Sequence, residues 1–295
     1  MKLYTIKLSV KEQLELYRVE KNFEKISCKP FLKWPGGKRQ LLPELMKRLP
    51  KEYNMFFEPF VGGGALLFRV KPDYGYISDI NPDLINLYEV VQDNVEELIE
   101  NLKIHRNTEK YFYELRNADR TEEYKYWNKV EKASRFIYLN KTCFNGLYRM
   151  NSDGHFNVPF GFYKNPTIVD TDNLIACSAL LKKTDIALAS FEAVEKKARK
   201  CDFVYFDPPY VPLNKTSSFT KYYKDDFDLD AQFALRELCD RLTKRGVYFM
   251  LSNSYTETVK ELYKSYDIKT VKANRAINCK ANGRGKINEL IVTNY

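Results

Sequence analysis

One tetrapeptide has the composition needed to bind an amino group. Asp207-Pro208-Pro209-Tyr210 directly follows an apolar stretch, Asp202 to Phe206. The prolines stiffen the backbone and lack N–H donors, which leaves their carbonyls as acceptors. The Asp207 carboxylate and the Pro208 carbonyl could accept both hydrogens of an aromatic amine, localising its lone pair and directing it at an electrophile. Tyr210 could stack on the ring. Taken alone, the tetrapeptide could equally be a rigid strand exit.

A second group of residues could bind a nucleoside. Gly62-Gly63-Gly64 lets the backbone approach a ligand closely, and the helix expected from Ala65 offers N–H groups to an anion. The spacing is not GxGxxG, which argues against NAD. Asp79 ends the next predicted strand, where a carboxylate can accept hydrogen bonds from ribose hydroxyls. Each feature also has an ordinary explanation, a tight turn or a helix-cap aspartate.

Alternating strands and helices must position these residues. A strand, a glycine loop, a helix, a strand and an acid follow one another, which is typical of a doubly wound α/β sheet. Asn81 and Pro82 are expected at the start of the next helix. The pattern predicts strands at 55–57, 74–78, 202–206, 246–251, 267–273 and 288–294, and helices at 40–49, 82–91, 228–244 and 255–265.

Residues 81–169 interrupt this alternation. Residues 93–140 are polar with a helical period, whereas turn signals at Asn145-Gly146, Ser152-Asp153-Gly154 and Pro159 predict a hairpin. We therefore predict three parts. A charged leader spans 1–29, with a helix between 10 and 25. A catalytic α/β domain combines 30–80 with 170–295, and a mainly helical subdomain is inserted at 81–169.

Charge and composition narrow the class of protein. The 295-residue chain has a formal charge of +9, and residues 101–165 hold twelve Lys and Arg against seven Asp and Glu. A basic surplus fits a polyanionic partner, although it also fits a solvated surface. Six scattered cysteines and two histidines indicate neither a zinc site nor a disulfide framework. Without an apolar segment of membrane-spanning length, we expect a cytoplasmic protein with no bound metal.

Five segments, in this order, closely resemble the adenine-specific DNA methyltransferases of the GATC-methylating group. They are 31–38 (FLKWPGGK), 57–64 (FEPFVGGG), 79–82 (DINP), 144–151 with 156–161 (FNGLYRMN and FNVPFG), and 207–210 (DPPY). The resemblance covers nearly all of 30–295. It implies a Rossmann-like, S-adenosylmethionine-dependent methyltransferase sheet with an inserted DNA-recognition subdomain, and double-stranded DNA as substrate.

The resemblance also assigns roles to residues. Asp207, Pro208 and Tyr210 would be catalytic, in a direct transfer of methyl from sulfonium to the N6 amine of a flipped-out adenine. The donor would contact Trp34, Lys38, Glu58, Phe60, Gly62, Gly64, Asp79 and Asp207.

Further assignments concern DNA. Phe144 would lie beside the space vacated by the flipped base, and Arg149 would pair with a guanine. Other base contacts would come from Lys33, Asn145, Leu147 and Pro159, and backbone contacts from Lys141, Asn151 and Asn157. Phe162 departs from the family pattern, because relatives often carry Arg at this position. The phosphate contact of that Arg would be missing in this chain.

Several alternatives stay open at this stage. The substrate could instead be a cytosine amine, RNA or a protein glutamine, although an Asp at the head of the tetrapeptide favours nucleic-acid amines. A DNA-binding relative without catalysis is a second class, and a nicotinamide oxidoreductase a third. Nor does the sequence decide whether a cognate restriction endonuclease acts on the same site.

Overall fold

The computed structural model describes residues 28–34, 38–209, 227–274 and 286–295. Several predictions lie outside these residues. They concern the charged leader with its helix, residues 35–37 of the first family segment, and Tyr210.

The described strands form one seven-stranded sheet in the order β3-β2-β1-β4-β5-β7-β6. They are β1 (Phe56–Glu58), β2 (Gly75–Asp79), β3 (Thr184–Leu188), β4 (Phe203–Phe206), β5 (Tyr248–Ser254), β6 (Asp267–Asn274) and β7 (Lys286–Thr293). The first five run parallel, and β7 lies antiparallel between β5 and β6. The predicted α/β architecture is confirmed.

Helices cover both faces of the sheet. They are α1 (Leu42–Met46), α2 (Leu67–Val70), α3 (Pro82–Asp93), α4 (Val95–Lys103), α5 (Glu109–Asn117), α6 (Lys129–Thr142), α7 (Thr171–Leu181), α8 (Val194–Lys197), α9 (Leu229–Lys244) and α10 (Glu257–Leu262). Neighbouring strand residues enter opposite layers: Phe56 packs in the core with α3 and α7, whereas Phe57 packs in the core with α9 and α10. Central parallel strands are buried on both faces, which explains their unbroken apolar sequence.

The structure contains a strand that the sequence analysis did not predict. Among the described strands, β3 lies at the edge of the sheet and pairs with β2 alone. Of its residues only Thr184 is buried, and Asp185 is exposed. An edge strand that is half in solvent lacks the apolar run that revealed β1 and β4, so hydrophobic patterning missed it.

The helical region between β2 and β3 packs onto the sheet through α3. Asn81 caps α3 as expected, because its side-chain oxygen accepts from the N–H groups of Asp83 and Leu84 at 3.0 and 3.1 Å. Helix α6 begins with a capping box formed by Asn128 and Glu131, and it packs against α3 and α4. The division of the chain at residues 81 and 169 stays a prediction.

A hairpin follows α6. Cys143 pairs antiparallel with Phe160, and Met150 pairs with Phe156. At its start Asn145 and Gly146 both have positive φ, +57° and +62°, and the Leu147 N–H donates to the Phe144 carbonyl at 3.3 Å. The predicted Asn-Gly turn is therefore present.

Candidate active site

The carboxyl ends of the parallel strands bring the predicted site residues to one edge of the sheet. β1 ends at Glu58, β2 at Asp79, and β4 directly before Asp207. In register, Phe206 lies beside Leu251 of β5, so Asp207 lies beside Ser252. This edge is where α/β sheets bind ligands.

The glycine loop is built around Asp79. Its carboxylate accepts from the Gly62 N–H at 3.2 Å and the Asn81 N–H at 3.0 Å, which ties the loop to the end of β2. Gly62 and Gly64 have φ of +45° and +64°, in the left-handed region that favours glycine. A Cβ on Gly64 would stand 2.7 Å from the Tyr88 hydroxyl, so this position requires glycine for space as well.

Trp34 packs directly against the glycine loop. A Cβ on Gly62 would stand 2.8 Å from the indole ring. On its other side the indole belongs to a stack with Phe136 of α6 and Tyr148 of the hairpin, at centroid distances of 6.4 and 5.8 Å. The Tyr148 hydroxyl donates to Asp83 at 2.7 Å. The loop predicted to bind the donor and the segment predicted to read DNA are thus joined by aromatic packing.

The Asp207 carboxylate has two partners in the described structure. Lys38 Nζ lies 2.8 Å from Asp207 Oδ1, and Ser252 Oγ donates to the same oxygen at 3.0 Å. Lys38 is buried, whereas the Asp207 side chain keeps 20% of its surface exposed. Ser252 is 2.8 Å from the Tyr205 hydroxyl, which can donate to it. A chain of hydrogen bonds therefore orients a carboxylate that a ligand can still reach.

Burial and nearby charges shift the pKa values of the acids in this site. Burial raises the pKa of Asp207 above its ordinary value, and the Lys38 ammonium and the Ser252 hydroxyl oppose that rise. The pKa of Glu58 is raised well above its ordinary value, by burial first and by the nearby Asp207 charge second. Glu58 also accepts from the Leu67 N–H at 3.0 Å, at the start of α2. Neighbouring acids with perturbed pKa values are typical of a functional site.

The two prolines directly follow Asp207. Pro208 is buried and Pro209 is exposed. The side chain of Gln232, which is buried on α9, donates to the Pro209 carbonyl at 3.4 Å, and Asn253 of β5 donates to Gln232 at 3.1 Å. The backbone after Asp207 is therefore held by Gln232 of α9, which Asn253 of β5 orients in turn.

Phe60 lies apart from the glycine loop's hydrogen bonds. Its ring stacks on Phe191 at 5.4 Å and meets Phe227 edge to face at 5.6 Å. These partners place Phe60 in an aromatic cluster beside the loop, where one face of a ligand could pack.

Most of the predicted DNA-reading residues lie on the hairpin, whereas Lys141 lies on α6 and Lys33 in the segment before α1. Arg149 Nε donates to the Asn157 side-chain oxygen at 2.6 Å, and the Asn157 N–H donates to the Arg149 carbonyl at 3.0 Å. Asn151 accepts from the N–H groups of Asp153 and His155 at 3.1 and 2.8 Å, so its oxygen shapes the far turn. These contacts orient the Arg149 side chain, and they engage the side-chain oxygen of Asn151 within the hairpin.

Helix α6 joins the start of the chain to the hairpin. The buried Asn140 side chain accepts from the Lys33 N–H at 2.9 Å and donates to the Lys33 and Gly146 carbonyls at 2.8 and 3.0 Å. Lys33 Nζ lies 4.3 Å from the centre of the Tyr163 ring, whose hydroxyl accepts from the Asn145 N–H. Of the remaining predicted DNA contacts, Phe144 and Pro159 are exposed, and Lys141 and Leu147 are half-buried.

Comparison with known proteins decides the class of this site. The D12 class N6 adenine-specific DNA methyltransferase family matches residues 34–277. The chain belongs to this family.

Curated relatives agree with the family match. The methyltransferase is 47% identical over 275 residues to the Type II methyltransferase M1.LlaDCHI of Lactococcus lactis subsp. cremoris, with 92% of this chain and 97% of the relative covered. It is 46% identical over 290 residues to M.MjaIII of Methanocaldococcus jannaschii, with 92% and 100% covered. It is 37% identical over 276 residues to the DNA adenine methylase of Haemophilus influenzae, with 90% and 94% covered. The predicted family and the S-adenosylmethionine-dependent, Rossmann-like fold are confirmed.

Residues that support this methyltransferase site escaped the sequence analysis. Ser252, Gln232, Asn140 and Tyr148 all hold predicted site residues in place. For Ser252 a signal exists, because Ser252-Asn253-Ser254 places three polar residues at the carboxyl end of an otherwise apolar strand. For the others, only the fold reveals which partners they meet.

Other features of the methyltransferase lie away from this edge. Among the residues described, no group of histidines, cysteines and acids could hold a metal ion. Within that same part of the chain, none of the helices is long and apolar enough to cross a bilayer. A cavity of about 980 Å³ is lined by Asp73 and Thr184, near the amino ends of β2 and β3. It is therefore at the opposite edge of the sheet from Asp207.

Proposed function

We propose that this enzyme transfers methyl from S-adenosylmethionine directly to the N6 amine of an adenine flipped out of duplex DNA, within GATC. One observation carries the proposal. The Asp207 carboxylate is oriented by Ser252 and Lys38, remains partly exposed, and lies at the edge that the glycine loop also borders. An acceptor for an amine and a loop suited to a nucleoside thus lie at the same edge of the sheet.

The residues present fit the proposed donor. Asp79 supplies a carboxylate for hydroxyl groups, the buried Glu58 carboxyl supplies a further hydrogen-bonding group, and the Phe60 cluster supplies an apolar surface. When bound, S-adenosylmethionine would supply a methyl group on a positively charged sulfur. The protein would orient this group and the amine in line, and the rate gain would come mainly from positioning and from oriented acceptors.

Asp207 would accept one hydrogen of the adenine amine and the Pro208 carbonyl the other. Asp207 must be ionised for this role, and the Lys38 ammonium at 2.8 Å favours that form. As the amine nitrogen forms its bond to carbon, it becomes positively charged, and the nearby carboxylate stabilises that charge. The bond from the methyl carbon to sulfur would break as the bond to nitrogen forms, which leaves S-adenosylhomocysteine, and the extra proton on nitrogen would pass through the Asp207 carboxylate to solvent.

The hairpin would read the sequence. An adenine within the duplex is stacked and paired, so it must leave the helix to reach Asp207, which costs a few kcal/mol. The exposed Phe144 ring suits the vacated space, and Arg149 suits bidentate contact with a guanine. The support for GATC is the resemblance of 144–151 and 156–161 to the GATC-methylating group.

The biological setting is proposed from the relatives. Two of them are named Type II methyltransferases. This favours protection of DNA beside a restriction endonuclease of the same specificity. A role without an endonuclease is the second candidate, favoured by the relative named DNA adenine methylase.

The proposal is tested by incubating the purified enzyme with long unmethylated DNA and S-adenosylmethionine, then mapping modified bases at single-base resolution. We expect N6-methyladenine confined to GATC. Modified cytosine would contradict the adenine assignment, and methylated adenines in another sequence would contradict GATC alone.

A further inference from the structure

Phe162 combines an exposed aromatic ring with an unfavourable backbone conformation. It lies just after the second strand of the hairpin, 70% of its surface is exposed, and its φ is +53°. A side chain with a Cβ is crowded in this left-handed region, which glycine and asparagine tolerate far better. Because the ring is exposed, Phe162 also lacks the stabilisation that a phenylalanine side chain usually gains from burial.

The surroundings impose this conformation. Before it, the Gly161 N–H donates to the Thr142 carbonyl at 2.8 Å, and a Cβ on Gly161 would stand 2.7 Å from the Cys143 carbonyl oxygen. After it, the Tyr163 carbonyl accepts from the Asn107 side chain at 2.7 Å. With both neighbours fixed, residue 162 must bridge them at positive φ. Strain held in this way clusters at functional sites.

The ring is also supported from beneath. It meets Phe160 edge to face at 5.0 Å and 70° between planes, and the buried Phe160 ring lies 5.3 Å from Phe112. The exposed Phe162 ring is therefore held in place by Phe160, which packs against the buried Phe112. A rigid apolar ring loses little entropy on binding.

We propose that the Phe162 ring is an apolar contact for DNA, made with a deoxyribose or base face beside the recognition sequence. The inference rests on the proposed function. It follows from position, because the neighbouring Tyr163 bonds to the Asn145 N–H and lies beneath the Lys33 ammonium, and both residues are predicted base contacts. A ring at this place makes its contact without neutralising a phosphate.

Salt dependence separates such a contact from an ionic one. Each phosphate that a protein neutralises adds about 0.9 to the slope of log affinity against log salt concentration. We compare wild type, Phe162→Asn and Phe162→Arg for binding to a short duplex carrying the mapped site, with S-adenosylhomocysteine present. Phe162→Asn should weaken binding about 5- to 150-fold at every salt concentration with an unchanged slope. Phe162→Arg should steepen the slope by about 0.9.

Stability supplies a second readout. Because asparagine tolerates positive φ, Phe162→Asn should melt no lower than wild type, so its weaker binding cannot come from misfolding. Tyr74→Asn is the matched control, since Tyr74 is 68% exposed but lies at the opposite edge of the sheet, and its binding should equal wild type. Equal binding by Phe162→Asn, or no change of slope in Phe162→Arg, would overturn the inference. Failure of wild type itself to bind the duplex would instead overturn the proposed function.

Discussion

Lys38 Nζ and Ser252 Oγ meet the same oxygen of Asp207, at 2.8 and 3.0 Å. One partner comes from the segment before α1 and the other from the end of β5. Both contacts lower the pKa of the Asp207 carboxyl, whereas burial raises it. Because the Asp207 acceptor role requires the ionised form, these two contacts set both its direction and its charge.

Ser252→Ala tests this arrangement through pH. Loss of the hydroxyl removes a contact that lowers the pKa of Asp207, so the protonated form should persist to higher pH. We expect the acid limb of kcat/KM to move to higher pH, with most of the activity recovered in alkaline buffer. Ser178→Ala is the control, because Ser178 is also a buried serine but donates to the Gln92 carbonyl on α3. An unmoved acid limb would assign Ser252 a purely structural role.

Glu58→Gln should stabilise the protein near neutral pH. The folded state holds the Glu58 proton more tightly than the unfolded state, because its pKa is raised. Wild-type stability therefore falls as pH rises through the ordinary glutamate value, and glutamine avoids that loss. We expect a higher melting temperature than wild type at pH 7 and a difference that vanishes at acid pH.

Glu44→Gln supplies a control of opposite sign. Lys47 and Arg48 lower the pKa of Glu44, so its charge favours folding. This variant should melt at or slightly below the wild-type temperature at pH 7. If Glu58→Gln behaved in the same way, the buried acid would be stabilised by partners other than the ones described.

These acids show what sequence can reveal. Asp79 and Asp207 were recognisable because each comes at the end of a predicted strand, and parallel strands bring their carboxyl ends together. Glu58 was predicted only through the family resemblance. The hydrogen-bond partners of Asp207 were not recognisable, since Ser252 is 45 residues and Lys38 169 residues from Asp207 in the chain. The contact between Ser252 and Asp207 follows from the order of strands in the sheet, which places β4 beside β5.

The hairpin gives the same lesson at shorter range. The Asn145-Gly146 pair predicted a tight turn, because such a turn requires positive φ at two consecutive residues and Asn-Gly adopts it readily. The strain at Phe162 was not predictable, since it is imposed by bonds from Thr142 and Asn107 to its neighbours. Edge strand β3 was missed for a related reason, because half-exposed residues carry little pattern.

Asn140→Ala should loosen the link between Lys33 and the hairpin. Three hydrogen bonds of a buried side chain are lost, and the partners on Lys33 and Gly146 are left without it. We expect the free energy of unfolding to fall by about 1–3 kcal/mol, measured by denaturant titration. Asn86→Ala, which removes a half-buried amide of α3 with one hydrogen bond to the Lys129 carbonyl, should change it by about 1 kcal/mol or less. Equal losses in the two variants would contradict the special position of Asn140.

Arg149→Ala should relax the choice of one base pair. A bidentate contact to guanine discriminates by about 1–3 kcal/mol, and this preference should disappear at one position of the site. The measurement is kcat/KM on duplexes substituted at each position in turn, with binding of the donor as the control. A uniform loss on all sequences would instead make Arg149 a phosphate contact.

Single-turnover methylation by Asp207→Ala tests the central claim most directly. With DNA and S-adenosylmethionine both saturating, the rate should fall by about a hundredfold or more, while the variant still binds both substrates. Methyl transfer at close to the wild-type rate would contradict the assignment of Asp207 as the amine acceptor.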